Sequence, residues 1–201
     1  LNPDALLREP LTAEQYRAAR FIAEPLRLLD CAYPVNGGAA VVVTAVERAR
    51  DGRAAPVYVH GLGQGHRTVA RLAGDDDAGT AGMLAGRDVY RMAGIGPRQV
   101  SLCQVYDAFS ICAPIALEDY GLCARGEGLA LIAAGATSPG GPLPMNTGGG
   151  HLAQAYLQGM TPLAEAVRQA RGQGGARQVE RNDVILVTGS GGRLEYHAAA
   201  V

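Results

Sequence analysis

Short runs of β-branched residues alternate along this chain with stretches of helical periodicity, and this alternation constrains the fold more than any other feature. Residues 39–44 read Ala-Ala-Val-Val-Val-Thr, a run typical of a strand that is buried on both faces. Further strands are predicted at 57–60, 100–106 and 182–188, helices at 13–20, 45–50, 82–92 and 110–120, a glycine turn at 189–192 and an edge strand in the tail 193–201. The pattern predicts an α/β protein built on a central sheet.

The composition limits the partners and the chemistry that the chain can support. Its 201 residues, 48% of them hydrophobic, are enough for one substantial core, and a formal net charge of -1 gives no attraction to nucleic acid or to a membrane surface. No apolar run reaches membrane-spanning length. The four cysteines match neither zinc nor redox spacings. We expect a cytoplasmic protein with free thiols, no metal site, and no nucleic-acid or membrane partner.

Three segments resemble binding motifs but are predicted to be ordinary turns or loops. The glycines at 61–65 lack the third glycine of a dinucleotide loop and the Lys-Ser/Thr of a phosphate loop, which favours a tight turn. His60 and His66 are six residues apart, a spacing that favours a polar turn beside the site over a metal pair. The aspartates at 75–77 lack the alternation of a calcium loop, which favours a solvated loop.

The segment 121–150 is rich in glycine and proline, and it is predicted to contain no regular secondary structure. A long ordered loop inside a compact domain is usually functional. The segment ends in Asn-Thr-Gly-Gly-Gly at 146–150, and the helical spacing of Leu152, Tyr156 and Met160 predicts that a helix follows directly. Glycines before a helix start let a ligand approach backbone amides closely.

Tyr106 and Tyr156 are the candidate acid and base. Tyr106 falls at the predicted end of the strand 100–106, and strand ends that meet helix starts are where α/β proteins build their sites. Spacing alone favours ordinary buried tyrosines with hydrogen-bonded hydroxyls. The catalytic interpretation therefore depends on the motifs around the two residues.

The order of four motifs resembles the thiolase superfamily. The motifs are Asn-Gly-Gly-Ala-Ala-Val-Val-Val at 36–43, Tyr-Asp-Ala-Phe at 106–109, Gly-Glu-Gly at 126–128, and the segment 146–159. Within the superfamily the chain looks like the sterol-carrier-protein-type and lipid-transfer-protein-type branch, which has histidines where this chain has Tyr106 and Tyr156. The resemblance implies a thiolase fold with a mixed sheet flanked by helices. It also implies that residues 1–54 end the N-terminal half of that fold and that 55–201 form the C-terminal half.

The tyrosine pair resembles the lipid-transfer-protein-type aldolases of steroid side-chain degradation. The resemblance implies retro-aldol cleavage of a β-hydroxyacyl-CoA to a ketone and a short acyl-CoA, with Tyr106 and Tyr156 sharing the acid and base roles and with no cofactor apart from the CoA thioester substrate. His151 is a rival acid or base. The implied substrate-binding residues are Asn146, Gly149, Gly150 and Gly191, of which Gly149 and Gly191 mark candidate oxyanion-hole amides.

Two other functions stay open at this point. The first is a thiolase-type acetyltransferase whose nucleophilic cysteine lies outside these residues. The second is a subunit that binds acyl-CoA or lipid without turnover. For the enzyme as a whole, the resemblance implies a homodimer and a small partner protein with an OB fold and a zinc ribbon.

Overall fold

The computed structural model describes residues 1–67, 79–192 and 194–201. Its helices are α1 (Ala13–Ala18), α2 (Val46–Arg50), α3 (Gly82–Ala93), α4 (Cys112–Asp119), α5 (Gly128–Ala133) and α6 (Met160–Ala170). Its strands are β1 (Phe21–Ala23), β2 (Leu26–Arg27), β3 (Leu62–His66), β4 (Leu102–Gln104), β5 (Ile185–Gly191) and β6 (Tyr196–Ala200). The helices predicted at 13–20, 45–50, 82–92 and 110–120 are confirmed as α1 to α4.

The central sheet is mixed, as predicted. Its strand order is β3-β6-β5-β4, in which β5 pairs parallel to β4 and antiparallel to β6, and β6 pairs antiparallel to β3. The prediction that the C-terminal tail forms an edge strand is wrong. Ala199 of β6 pairs with Gly63 on one side and with Thr188 on the other, so the tail lies inside the sheet.

The glycines at 61–65 lie in and just before β3, so the prediction of a tight turn is wrong. They recur at every second residue, which places them on one face of a strand. A Cβ at Gly63 would lie 2.0 Å from the carbonyl oxygen of Ala85, and one at Gly65 would lie 2.0 Å from that of Ala81. Glycine is therefore needed here because α3 packs directly on the strand backbone.

Two predicted strands do not form. Residues 39–44 and 57–60 have no strand partner in the described chain, and Val42 and Val59 are exposed. The β-branched composition favours a buried strand, but strand formation also requires a neighbouring backbone to pair with. His60 and His66 do not flank a turn: the His60 amide donates to the Val201 carbonyl, and His66 ends β3.

The glycine-rich segments contain more regular structure than predicted. Helix α5 lies within 121–150, and Gly189 to Gly191 belong to β5. The helix predicted from Leu152 onward is interrupted: a π-type turn spans Gly150–Gln154, and α6 begins only at Met160. Tyr156 therefore lies in the irregular stretch between them. The aspartates at 75–77 lie outside the described residues.

The core lies between the sheet and the helices α3 and α4. Cys103 and Val105 from the β4 segment, Leu186 from β5 and Leu117 from α4 are fully buried in it. Across residues 1–67, 79–192 and 194–201, no helix has the length and apolarity needed to span a membrane, and no cluster of His, Cys, Asp or Glu side chains has a metal-binding arrangement. A cytoplasmic location stays a prediction.

Candidate functional site

Tyr106 and Tyr156 meet beyond the C-terminal end of β4. Their hydroxyl oxygens are 2.7 Å apart, and their rings make an edge contact with centroids 6.2 Å apart. Both side chains are partly buried. The fold thus brings together the two candidate residues that the sequence separates by fifty positions, and it does so through a direct hydrogen bond.

Tyr106 is held by strand β5 and by the loop that contains Asn146. Its backbone N–H donates to Thr188 Oγ1 of β5 at 3.0 Å, and the N–H of the preceding Val105 donates to Asn146 Oδ1 at 2.7 Å. Thr188 is buried. Because β4 and β5 are parallel neighbours with Gln104 opposite Val187, Tyr106, just beyond the end of β4, comes next to Thr188 in the middle of β5.

Tyr156 is held by the start of α6 and by the N-terminal segment. The Thr161 hydroxyl donates to the Ala155 carbonyl at 2.7 Å and accepts the Leu157 N–H at 3.1 Å, which fixes the backbone on both sides of Tyr156. Pro34 forms a parallel bridge with Tyr156 itself. Tyr156 lies outside any helix, so hydrogen bonds from the Thr161 side chain fix its backbone instead.

His151 lies buried beneath the tyrosine pair and is paired with Asp107. Its ring centroid is 4.5 Å from that of Tyr106 and 5.3 Å from that of Tyr156. Nδ1 lies 2.9 Å from Asp107 Oδ1, and Nε2 faces the backbone carbonyl of Gln158. The backbone N–H of His151 also donates to Asp107 Oδ1, at 2.7 Å. Both ring nitrogens of this predicted rival acid or base are therefore engaged within the protein.

The glycine-rich loop folds against the same carboxylate. Asn146, Gly149 and Gly150 have φ angles of 48°, 108° and 61°, and the Gly149 N–H donates to the Asn146 carbonyl at 2.8 Å. A Cβ at Gly150 would lie 2.3 Å from Asp107 Oδ2. Gly191 is placed elsewhere, at the end of β5 opposite Tyr196, and makes no contact with the tyrosine pair among the described hydrogen bonds.

The environment of Tyr106 favours its protonated form. Burial raises the pKa of this phenol, and the hydrogen bond with Tyr156 raises it further, with smaller contributions from the Tyr156, Cys112 and Asp107 charges. Tyr106 therefore stays protonated at neutral pH.

Cysteine chemistry is not favoured in this part of the protein. Burial raises the pKa of the Cys103 thiol to about 12. It also raises the pKa of Cys31, Cys112 and Cys123, each with one or more nearby carboxylates adding to the effect. Since the thiolate is the nucleophile, none of these thiols is activated.

Asp30 joins the N-terminal segment to the loop that carries Tyr106. Its carboxylate accepts the Ser110 hydroxyl at 2.6 Å, the Arg27 N–H at 2.7 Å and the Tyr16 hydroxyl at 2.8 Å. Burial opposes ionisation, but these hydrogen bonds outweigh it and hold the pKa of Asp30 below its ordinary value. The segment that follows Asp30 leads to Pro34 at Tyr156, so both tyrosines are braced by it.

Sequence reasoning missed Asp107, Thr188 and Asp30 as parts of the site. Asp107 stands next to Tyr106 in the Tyr-Asp-Ala-Phe motif, and that position was a usable signal. Thr188 and Asp30 carried none, because their contacts arise from strand pairing and from the docking of a distant segment.

Comparison with known proteins places this site in a family. A family model described as thiolase C-terminal domain-like matches residues 63–201. The chain is 38% identical over 196 residues to a 17-hydroxy-3-oxo-4-pregnene-20-carboxyl-CoA lyase of Mycobacterium tuberculosis, covering 94% of this chain and 51% of that protein. It is 36% identical over 203 residues to an acetyl-CoA acetyltransferase of Methanothermobacter thermautotrophicus, covering 98% and 53%.

A solved structure described as an Ltp2-ChsH2(DUF35) aldolase superposes on the chain with a TM-score of 0.88. It is 36% identical, and the match covers 99% of this chain and 53% of that one. The chain thus spans about half the length of the relatives that it matches. The division at residues 54 and 55 stays a prediction.

Proposed function

This chain belongs to the thiolase superfamily, and from that premise we propose that it carries the acid–base pair of an aldolase that cleaves a β-hydroxyacyl-CoA to a ketone and a short acyl-CoA. The observation that carries the proposal is the 2.7 Å contact between the Tyr106 and Tyr156 hydroxyls. The relatives named as lyase and aldolase support the reaction class, and the name of the former supports a steroid-type CoA thioester as the substrate.

The tyrosine pair supplies both proton transfers of a retro-aldol reaction. Tyr156, as the base, takes the β-hydroxyl proton; the Cα–Cβ bond then breaks to give the ketone and the thioester enolate. Tyr106, as the acid, gives its proton to the α-carbon, which releases the acyl-CoA. The hydrogen bond between the two hydroxyls then returns the proton from Tyr156 to Tyr106, so the cycle needs no outside acid. Because the two hydroxyls share one hydrogen bond, the acid and base roles can also be exchanged between the two tyrosines.

Asn146 is the proposed donor to the thioester oxygen. Its Oδ1 accepts the Val105 N–H, while its Nδ2 amide donates to no other described residue and so remains available to a ligand. A donor fixed in this way stabilises the enolate oxygen as charge develops. The Gly149 backbone N–H already donates to the Asn146 carbonyl. The side-chain amide of Asn146 is therefore the better candidate donor to the thioester oxygen. Substrate contacts of Gly149, Gly150 and Gly191 stay predictions.

The full-length protein is proposed to act with a partner. The aldolase structure that superposes on this chain is named for two components, Ltp2 and ChsH2(DUF35). That pairing supports a partner of the DUF35 type, with the OB fold and zinc ribbon expected from the family resemblance. A homodimer is proposed on the resemblance alone.

Product analysis tests this function. The full-length protein, co-expressed with a DUF35-type partner, is given a β-hydroxyacyl-CoA with a steroid-like body, with and without free CoA. We expect a ketone and a short acyl-CoA in both conditions, because retro-aldol cleavage consumes no thiol. Binding of the thioester without any product would instead indicate a non-catalytic subunit.

Thiolysis is the second candidate, because a relative named as an acetyl-CoA acetyltransferase is 36% identical. In that case products would form only when free CoA is added, and a thiol-blocking reagent would abolish them. Burial raises the pKa of all four thiols in residues 1–201, so the nucleophile of a thiolysis reaction would have to lie outside them.

A further inference from the structure

Residues 30–34, the linking segment, run past both tyrosines of the candidate site. They pair antiparallel with residues 108–110, which follow closely after Tyr106 along the chain. Two backbone hydrogen bonds hold this pairing, one donated by the Ala32 N–H and one donated by the Ser110 N–H, each 2.9 Å long. The start of the linking segment is therefore fixed to the loop that carries Tyr106.

At its other end the linking segment reaches Tyr156. Pro34 forms a parallel bridge with Tyr156 itself. Three residues further on, a Cβ at Gly37 would lie 2.9 Å from Leu157 Cδ2, so the chain continues past Tyr156 and Leu157 at close range. A segment that is fixed to the loop of one tyrosine and to the backbone of the other constrains the distance between their two hydroxyls.

The glycine-rich loop provides a second connection, but that connection ends before Tyr156. The His151 backbone N–H donates to the Asp107 carboxylate at 2.7 Å, one residue after Tyr106. Tyr156 lies five residues further along, beyond a π-type turn. The Thr161 side chain fixes the backbone around Tyr156 to α6 and not to the loop of Tyr106. The linking segment, by contrast, contacts Tyr156 itself.

Asp30 anchors the start of the linking segment. It is 5% exposed, and its carboxylate accepts the Ser110 hydroxyl at 2.6 Å, the Arg27 N–H at 2.7 Å and the Tyr16 hydroxyl at 2.8 Å. Hydrogen bonds to an ionised acceptor are shorter and stronger than neutral ones. Because Ser110 belongs to the loop that follows Tyr106, its hydrogen bond ties Asp30 directly to the site.

We infer that Asp30 is a positioning residue for the tyrosine pair. Through Ser110 it fixes the linking segment, and the linking segment sets the separation of the two tyrosine hydroxyls. The effect of Asp30 on turnover rests on the proposed function, in which a proton returns from Tyr156 to Tyr106 across 2.7 Å. A proton moves directly between two groups only within hydrogen-bond reach. A misplacement on the order of 1 Å at a reacting group costs up to about a hundredfold in rate.

The hydrogen bond between the tyrosines gives a readout that does not depend on activity. In the full-length protein, with tyrosine labelled with ¹³C at Cζ, nuclear magnetic resonance reports the state of each phenol. Tyr156→Phe gives the Tyr106 signal without its hydrogen-bond partner. We expect Ser110→Ala to shift the Tyr106 signal in the same direction as Tyr156→Phe does, because the two hydroxyls move apart.

Two further variants make this readout specific. Ser110→Thr keeps the hydroxyl that Asp30 accepts and should keep the wild-type Tyr106 signal. Ser138→Ala is the matched control, because it removes the hydroxyl of an exposed serine that the site does not include. A wild-type Tyr106 signal in Ser110→Ala would overturn the inference.

The kinetic arm measures turnover of the β-hydroxyacyl-CoA by Asp30→Asn and Ser110→Ala, normalised to folded protein. We expect kcat to fall by about tenfold in each with little change in KM, because misplaced proton-transfer groups act on the chemical step. Ser110→Thr should recover most of the turnover. Wild-type kcat in Asp30→Asn and Ser110→Ala would contradict the positioning role. The expected Tyr106 shift in a protein whose wild type cleaves no β-hydroxyacyl-CoA would instead reject the proposed function alone.

Discussion

Gly150 approaches the Asp107 carboxylate more closely than any other residue type would allow. It has φ of 61°, which L side chains rarely adopt, and a Cβ would lie 2.3 Å and 2.6 Å from the two carboxylate oxygens. Glycine at this position lets the His151 backbone N–H reach Asp107. Because Gly150 carries a hydrogen in place of a Cβ, it also preserves the contact between His151 and Asp107 beneath the two tyrosines.

Gly150→Ala is predicted to damage both folding and activity. The added methyl must displace Asp107 and strain the backbone, so we expect the free energy of unfolding to fall by about 1–3 kcal/mol and turnover to fall by at least about tenfold. Thermal unfolding and steady-state kinetics measure the two effects. Gly140→Ala is the matched control, because its Cβ would meet nothing within 4 Å. Equal behaviour of the two variants would refute the packing argument.

For single residues, the sequence indicated which side chains belong to the site but not which residues they form hydrogen bonds with. The motif around Tyr106 and the one around Tyr156 were enough to select both tyrosines. The hydrogen bond from Tyr106 to Thr188 was out of reach, because it joins residues 82 positions apart through the pairing of β4 with β5.

Thr147 connects the elements that surround the site. Its hydroxyl donates to Glu165 of α6 at 2.9 Å and accepts from Gln104 of β4 at 2.9 Å and from Gln169 of α6 at 3.1 Å. One hydrogen and two lone pairs are thereby all used. Glu165 also accepts a two-point ion pair from Arg177 at 2.9 Å and 3.0 Å, and all five residues are buried. The network ties the loop 146–150 to the strand that presents Tyr106.

Thr147→Val is predicted to loosen this connection while preserving side-chain shape. It leaves Gln104 without an acceptor and removes a donor from Glu165, so we expect a loss of about 1–3 kcal/mol in the free energy of unfolding. Denaturant titration measures it. Thr147→Ser should recover most of the loss, and Arg168→Gln should cost little, since Arg168 is 46% exposed and 3.9 Å from Glu165. A Thr147→Val protein as stable as Thr147→Ser would show that the network contributes nothing.

The sequence predicted helices better than strands, and the reason is physical. Helices α1 to α4 follow from local spacing and capping, as in the capping box of Thr12 and Gln15. Strands depend on a partner backbone, so the β-branched run at 39–44 stays unpaired while the glycine-rich β3 pairs with β6. Glycine at every second residue of β3 was a signal of close helix packing that was mistaken for a turn.

At the scale of the whole molecule, buried carboxylates make the free energy of unfolding depend on pH. Burial opposes ionisation of Glu165, but hydrogen bonds from Arg177, Gln169 and Thr147 outweigh it and lower its pKa; Asp30 is lowered in a similar way by Ser110, Arg27 and Tyr16. A carboxyl group with a lowered folded-state pKa contributes stability that is present above its unfolded pKa, and the contribution is lost as the pH falls through the folded value.

We therefore predict that the melting temperature falls steadily as the pH is lowered below about 4.5, where unfolded-state carboxyl groups begin to bind protons. Burial also lowers the pKa of His197, although Asp119 opposes it, so a smaller decline should begin below about 6.5. Calorimetry across this pH range measures both declines in melting temperature. Asp30→Asn should make the decline below about pH 4.5 less steep. An equally steep decline in that variant would contradict the contribution of Asp30.

The central claim is that Tyr106 and Tyr156 together move the protons of a retro-aldol cleavage, and their removal tests it most directly. The measurement is turnover of the β-hydroxyacyl-CoA by full-length Tyr106→Phe and Tyr156→Phe, with the exposed Tyr58→Phe as the control. We predict that each site variant loses at least about a hundredfold in kcat, the usual contribution of a general acid or base, while Tyr58→Phe keeps wild-type turnover. Wild-type turnover in either site variant would contradict the account.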